Sequence, residues 1–129
     1  MFEDLAIVRM AQALARHAGA RQAIIARNVA NADTPGYAAR DIAPFAAIYG
    51  DGQAGLVPRA TRPTHLRPDP DAQLLAPRVR AGAVADPNGN SVSLETEMVF
   101  AADTMRAHEQ ALAIYRHSLS VLRSALGRR

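Results

Sequence analysis

The residues of this chain best suited to chemistry are its histidines. The segment His108-Glu109-Gln110-Ala111-Leu112 begins like the zinc-protease motif, in which two histidines four residues apart bind the metal. Leu112 stands where the second histidine must be, so a ligand is missing. The other histidines, His17, His65 and His117, show no ligand spacing with one another or with His108. We therefore expect no metal site.

No other catalytic arrangement is found in the sequence. No glycine-rich phosphate loop follows a strand, no Gly-x-Ser-x-Gly elbow occurs, and the chain has no cysteine. Glu95 and Glu97 are better explained as charges in the first turn of a helix than as a general acid and base. We expect a protein that is not an enzyme and that takes no cofactor and no small-molecule substrate.

The charge pattern argues against nucleic acid as a partner. All 15 basic residues are arginines, and they are interleaved with 12 acids over the whole chain. Nucleic-acid-binding proteins more often show a clustered basic stripe, so an arginine-rich helical nucleic-acid-binding protein is kept only as an alternative. No membrane-spanning run is present. Glu3 and Asp4 stand where the basic region of a secretory signal would lie, so we expect no cleaved signal.

One amphipathic helix is predicted near each end of the chain. The first is predicted over residues 5–30, where a stripe of apolar residues is interrupted by Arg21. The second is predicted over residues 94–126, capped by Ser93 and ended at Gly127. Its apolar residues alternate spacings of four and three, which is the pattern of a coiled-coil seam. The seam comprises Leu94, Met98, Ala101, Met105, His108, Leu112, Tyr115, Leu119, Leu122 and Leu126.

The apolar surface of the second helix is wider than one partner requires. A further column, Phe100, Ala107, Ile114 and Val121, recurs every seven residues beside the seam. We expect the seam, with Leu112, to face the chain's own first helix. Ile114 then lies where a two-helix hairpin has no room to cover it. The helix is therefore predicted to have more than one neighbour, with His108 as a polar residue that sets the register.

The segment between the helices has no sustained period. From Asp41 to Asn90 prolines and glycines are scattered among short apolar patches at 42–49, 56–57 and 74–75. The run Pro87-Asn88-Gly89-Asn90 predicts a turn, which could be the tip of a hairpin. This segment is either a small irregular lobe or a mobile arm, and we favour a partly ordered lobe.

The decapeptide at 28–37 ends the first helix. Pro35 and Gly36 fit the two central positions of a type II turn, and Pro35 keeps Thr34 out of the helical region. Asn28 and Asn31 lie three residues apart and project from one face of the helix. They either cap the end of the helix or donate hydrogen bonds across to a neighbouring helix.

The decapeptide, Asn28-Val29-Ala30-Asn31-Ala32-Asp33-Thr34-Pro35-Gly36-Tyr37, resembles the N-terminal signature of bacterial flagellar rod, hook and hook-associated proteins. The continuation 38–41 is similar to the proximal rod members, although Ala38 stands where they usually have a lysine. The run from Gly89 to Met98 resembles the segment that opens the family's C-terminal helix. With both helices the resemblance covers about two thirds of the chain and leaves the middle unmatched.

The resemblance implies a structural subunit of the flagellar basal-body rod that self-assembles through its terminal helices. Its partners would be other rod subunits, the adaptor protein FliE, the membrane ring and the flagellar export apparatus. The subunit would leave the cytoplasm through the type III export system without a cleaved signal and reside in the periplasmic rod. Another small rod subunit of the same family is the nearer alternative. An Ala-x-Arg-x-Tyr-like run is expected in the last helix of that subunit, and residues 103–107 match it poorly.

The predicted fold is mainly α, with the terminal helices packed as an antiparallel hairpin and an irregular central segment that could contain a short β-hairpin. One assembly domain has three parts: residues 1–37, 38–92 and 93–129. We expect the subunit-interface residues to lie in the decapeptide and on the second helix. They are Asn28, Asn31, Thr34, Pro35, Gly36, Tyr37, Leu94, Met98, Met105, His108, Leu112, Ile114, Tyr115, Leu119, Val121 and Leu122.

Overall fold

The computed structural model describes residues 2–50 and 75–127. Its elements in chain order are α1 (Phe2–Ala30), β1 (Arg40–Asp41), α2 (Phe45–Gly50), β2 (Arg78–Val79) and α3 (Leu94–Leu126). Helices α1 and α3 pack against each other, which confirms the predicted helical hairpin. The apolar patches predicted at 56–57 and at Leu74 lie outside the described residues.

The ends of α3 follow from local chemistry. The Ser93 side chain accepts a hydrogen bond from the Thr96 backbone N–H, and the Gly127 N–H donates to the Arg123 carbonyl at 2.8 Å. Both predicted ends of this helix are confirmed. Helix α1 begins at Phe2, three residues earlier than predicted.

Small side chains bring the two long helices together. Ala11, Ala18 and Ile25 recur every seven residues on α1 and are buried, and Thr104 and Ala111 are buried on α3. Alanine at a crossing lets two helix backbones approach closely, so dispersion contacts replace the large apolar anchors that this sequence lacks.

The line of α3 that faces α1 differs from the predicted seam. The innermost residues are Glu97, Thr104 and Ala111, whereas Leu94 and Met98 are exposed. Met105 and His108 are exposed as well. The prediction was wrong about this half of the seam because long side chains fit at the flanks of a close helix pair and small ones at its centre.

The neighbouring column was also predicted incorrectly. Phe100, Ala107 and Ile114 are half-buried within the single chain, and only Val121, at 45% exposure, remains largely uncovered. The hairpin therefore covers most of the column that was expected to need a second neighbour.

The central segment packs on one side of the hairpin. Strands β1 and β2 pair antiparallel, with Arg40 opposite Val79 and Asp41 opposite Arg78. The short helix α2, which was not predicted, lies over α1, where His17 Nε2 donates to the Ala43 carbonyl at 2.7 Å. The predicted turn at 87–90 is present, because the Gly89 N–H donates to the Asp86 carbonyl. The paired strands lie elsewhere, so this turn is not the tip of their hairpin.

Candidate assembly site

The decapeptide folds into the predicted turn. Gly36 has a φ of 73°, and the Tyr37 N–H donates to the Thr34 carbonyl at 3.2 Å, which closes a four-residue turn around Pro35 and Gly36. A positive φ at the second central position is the type II arrangement.

The two motifs of the sequence pack directly against each other at this turn. The Gly36 N–H donates to the Asn88 carbonyl at 3.0 Å, and the Ser91 N–H donates to the Tyr37 carbonyl at 3.0 Å. A Cβ on Gly89 would lie 3.3 Å from the Gly36 Cα. Segments fifty residues apart in sequence thus form one backbone-to-backbone contact.

Asn90 fixes the C-terminal end of α1 against the start of α3. Its Nδ2 amide donates towards three carbonyls, those of Asn31 at 2.9 Å, Ala32 at 2.7 Å and Thr34 at 2.8 Å. Its Oδ1 accepts from the Val92 N–H at 2.8 Å. These three residues lie just beyond the end of α1, so the buried asparagine adds hydrogen bonds to carbonyls that no longer belong to the helix.

Asn28 bonds to both the central segment and α3. Its Nδ2 donates to the Arg40 carbonyl at 2.8 Å and to Glu97 Oε2 at 3.1 Å. Its Oδ1 accepts from the Arg40 N–H at 3.1 Å and from the Tyr37 hydroxyl at 3.3 Å. Asn28 and Glu97 are fully buried, and Arg80 Nη1 donates to the other Glu97 oxygen at 2.6 Å. The Asn28 amide thus reaches a neighbouring helix, and that helix belongs to the same chain.

A second ion pair lies beside this cluster. Arg21 donates to both oxygens of Asp41, at 3.0 and 2.9 Å. The guanidinium groups of Arg21 and Arg80 also lie over the Phe100 ring, at 5.1 and 4.6 Å from its centroid. Arg21, which interrupts the apolar stripe of α1, therefore anchors β1 to that helix.

The ion pair changes the acidity of both partners. Burial, the largest single influence, raises the pKa of Asp41, but the Arg21 hydrogen bond, the Ile42 N–H and the nearby arginine charges together outweigh it and lower that pKa. The hydrogen bond to Asp41 raises the pKa of Arg21 despite burial. Asp41 is therefore a carboxylate at neutral pH.

Among the described residues, this cluster offers hydrogen bonds and ion pairs but no metal site. No group of three or more histidine, cysteine or acidic side chains there could hold a metal ion. His108 and Glu109, from the incomplete zinc motif, are both exposed on α3. No described helix is both long and apolar enough to cross a membrane.

Comparison with known proteins agrees with the motifs. A family model described as "Flagella basal body rod protein" matches residues 11–37. The flagellar basal body rod protein FlgB of Agrobacterium fabrum (strain C58) is 28% identical over 110 residues, which cover 83% of this chain and 82% of that protein. These findings support a FlgB-like flagellar basal-body rod protein.

The segment that matches the family model contains much of the contact between α1 and α3. Residues 11–37 include the buried face of α1, Arg21, and the turn that packs on residues 88–91. The resemblance to the rod family therefore rests on residues that hold α1, the turn and the start of α3 together.

The predicted interface residues fall into three groups by exposure. Asn28 is buried inside the chain, whereas Thr34, Pro35 and Gly36 are exposed on the turn. Those that are half-buried are Asn31, Tyr37, Leu112, Ile114, Tyr115, Leu119 and Leu122. Those that are exposed on α3 are Leu94, Met98, Met105, His108 and Val121. Their roles between subunits remain predictions.

Asn31 acts locally. Its Nδ2 donates to the Arg27 carbonyl one turn back at 2.8 Å, and its Oδ1 accepts from the Thr34 hydroxyl at 3.3 Å. Both bonds are exposed, as expected for a residue that ends a helix. The two asparagines of the decapeptide therefore act differently in the single chain, although their spacing is the same as that of two neighbours on one helix face.

Arg80, Asp41 and Asn90 were not predicted as partners in this cluster. Arg80 and Asp41 lie in the irregular segment, where no periodicity predicts a contact. The sequence does contain a signal for Glu97 and Arg21, the residues that pair with Arg80 and Asp41. Glu97 shares a helical line with Thr104 and Ala111, and Arg21 shares one with Ala18 and Ile25. Both charges therefore lie on faces that pack against other parts of the chain, where a charged group needs a partner.

Proposed function

We propose that this chain is a structural subunit of the flagellar basal-body rod, of the proximal FlgB type, that assembles through its two long helices. The observation that carries the proposal is the exposed apolar surface of α3. Met98 is 72% exposed, Met105 58% and Leu94 50%, and all three lie on one side of the helix. A contiguous apolar stripe left in water is typical of a surface that another protein covers.

The polar cluster supports this function by fixing the shape of the subunit. Asn28, Glu97 and Arg80 hold α1, α3 and the central segment at defined positions, so the exposed stripe has one geometry to offer. Repeated contacts in a polymer need such a fixed geometry, because each copy must present the same surface to the next.

The same proposal specifies the binding partners of the subunit and its export route. The neighbours would be other rod subunits, the adaptor protein FliE and the membrane ring, with the rod lying in the periplasm. The chain would reach it through the flagellar type III export apparatus without a cleaved signal. We also propose that the predicted interface residues exposed on α3 contact these neighbours.

The test is genetic and structural. Deletion of the gene should stop motility and leave basal bodies without a rod, and the wild-type gene should restore both. Met98→Glu should keep the helix content of the purified chain near wild type, because the side chain already lies in water, yet block rod formation. Val99→Glu is the matched control, since Val99 is 59% exposed but lies outside the predicted interface. Normal rods in the deletion strain would refute the function.

Two alternatives are weaker. A FlgC-like rod subunit would also suit the two-helix fold, but residues 103–107 lack its expected run. Nucleic-acid binding would require an affinity for random duplex DNA that falls steeply as salt rises, and a salt series measures this directly.

A further inference from the structure

The side of the hairpin that the central segment leaves open carries a groove. On α1, His17, Arg21 and Asn28 project towards the central segment, while Gly19 and Ala23 project from the opposite side. There a cleft of about 430 Å³ runs between the two long helices. Its lining residues are Ala18, Gly19, Gln22, Ala23, Ala26, Thr104, Met105, His108 and Glu109.

The groove has unsatisfied polar atoms. Gln22 Oε1 and Thr104 Oγ1 are both buried and have no hydrogen-bond partner among the described residues, and Thr104 is only 3% exposed. The amide oxygen of Gln22 can only accept, and the exposed carboxylate of Glu109 on the same groove can also only accept. An occupant that supplies N–H donors would pair with Glu109, and with the Gln22 oxygen once that half-buried side chain turns it outward, because buried acceptors left without partners are costly.

The chain itself carries a surface with that chemistry. From residue 110 to the end there are four arginines and no acid, whereas residues 94–109 contain four acids and one arginine. Arg116, Ser120 and Arg123 are exposed on α3, on the same side of the helix as Met105 and Glu109. Among the described residues of this face, the C-terminal half thus presents the guanidinium donors of Arg116 and Arg123, and the half at the groove presents the Glu109 carboxylate.

We propose that the groove receives the C-terminal half of α3 from a second copy of this chain, with Arg116 and Arg123 donating to Glu109 and Gln22. This proposal rests on the rod function proposed above and adds the partner and the surface. A chain cannot fill its own groove in this way. Ser120 lies eleven residues beyond Glu109 on one continuous helix, about 16 Å away at 1.5 Å per residue.

Cross-linking of the purified full chain tests the contact, because the sequence has no cysteine of its own. The test variant carries both Ala23→Cys and Ser120→Cys, two positions that are far apart within one chain. Ala23 and Thr104 line the same groove, and Ser120 is sixteen residues further along α3 than Thr104, about 24 Å. A disulfide needs Cα atoms within about 7 Å, so any disulfide must join two copies.

We expect disulfide-linked species of two or more subunits from this pair at high protein concentration under mild oxidation. Asp103→Cys with Ser120→Cys is the matched control, because Asp103 is also exposed, on α3, but does not line the groove. Linked species that exceed the control at least about tenfold support the proposal, as expected for a specific contact over random encounter. Equal yields from the two pairs overturn it.

Charge reversal in cells provides a second, independent test. Glu109→Arg should reduce rod formation and swimming, and Glu109→Arg combined with Arg116→Glu should restore them, because the attractive pair is rebuilt with the signs exchanged. Arg106→Glu, a charge change of equal size and opposite sign at a position 80% exposed and outside the groove, should swim normally. Normal swimming of Glu109→Arg, or no recovery in the double variant, overturns the contact.

The two tests separate this inference from the proposed function. Cross-linking of purified protein does not depend on motility. A deletion strain that still forms rods would refute the function and leave the cross-link to decide the contact. A deletion strain without rods, together with a groove pair that fails to cross-link, would retain the function and remove this surface from it.

Discussion

Replacing Asn28 and Asn31 separately by alanine should have very different effects, although the two residues lie three apart in the same motif. Asn28→Ala removes four hydrogen bonds and leaves the N–H and carbonyl of Arg40 and one oxygen of the buried Glu97 without that partner. Asn31→Ala removes two exposed bonds. Helix capping alone would predict losses of about 1 kcal/mol for either change.

The magnitudes follow from burial. An unsatisfied buried donor or acceptor costs about 1–3 kcal/mol, and two to three such groups would remain in Asn28→Ala. Water can reach part of the Arg40 backbone because that residue is exposed, so we expect a loss of about 3 kcal/mol in the free energy of unfolding. For Asn31→Ala we expect at most about 0.5 kcal/mol, because both lost bonds are exposed and water can replace the missing partner.

Urea unfolding followed by circular dichroism at 222 nm measures both variants at neutral pH. Asn28→Asp sharpens the test without changing the shape of the side chain. It puts two carboxyl groups about 3 Å apart, so the pKa of one must rise in the folded chain. The folded chain then binds a proton that the unfolded chain has released, and the stability of this variant falls as pH rises from 5 to 8. Losses for the two alanine variants that agree within about 0.5 kcal/mol would refute the reasoning, since that is the expected error of such comparisons.

Two further predictions concern the rest of the cluster. The pKa of Asp41 is lowered in the folded chain, so its contribution to stability is present above the usual aspartate value of 3.8 and is lost as pH falls through the folded value. Asp41→Asn should therefore abolish that part of the acid-induced loss of stability. Urea unfolding between pH 5 and the acid limit measures it. Gly89→Ala should destabilise more than Gly82→Ala by thermal unfolding. Both glycines have a positive φ, which costs alanine about 1–2 kcal/mol, but only at Gly89 would the new Cβ meet Gly36. Equal shifts of the two glycine variants would show that the 3.3 Å approach is harmless.

Local signals in the sequence were sufficient for the helices and their ends. Helix α3 begins after Ser93 and ends before Gly127, and the Pro35-Gly36 turn has the predicted conformation. Capping and turn chemistry depend on neighbours within four residues, so both could be predicted. The antiparallel pairing of the long helices was also predictable, since each has an apolar stripe that must be covered.

The rotation of α3 about its axis could not be predicted from the apolar period. The four-three spacing identifies a stripe but not its centre, and here Glu97 and Thr104 lie at the centre while Met98 lies outside. The deciding factor is the partner: a helix with Ala11 and Ala18 at the contact favours small residues opposite them. The contacts of Arg80 were hidden for a different reason, because they depend on the path of a segment that has no periodic signal.

The arrangement shows how a motif rich in asparagine suits the proposed function in assembly. Its polar atoms are used mostly inside the subunit: Asn28 binds α3 and β1, and Asn90 closes the end of α1. An amide buried among such partners accepts only one relative position of the helices, because any slip would leave several donors and acceptors unpaired at once. Apolar contacts through alanine are far less selective, since neighbouring turns of α1 offer nearly the same surface. The alanine face brings the helices together, and the asparagine cluster selects the register. The long side chains of Met98 and Met105 are thereby left on the outer surface, where the proposed assembly places a neighbouring subunit.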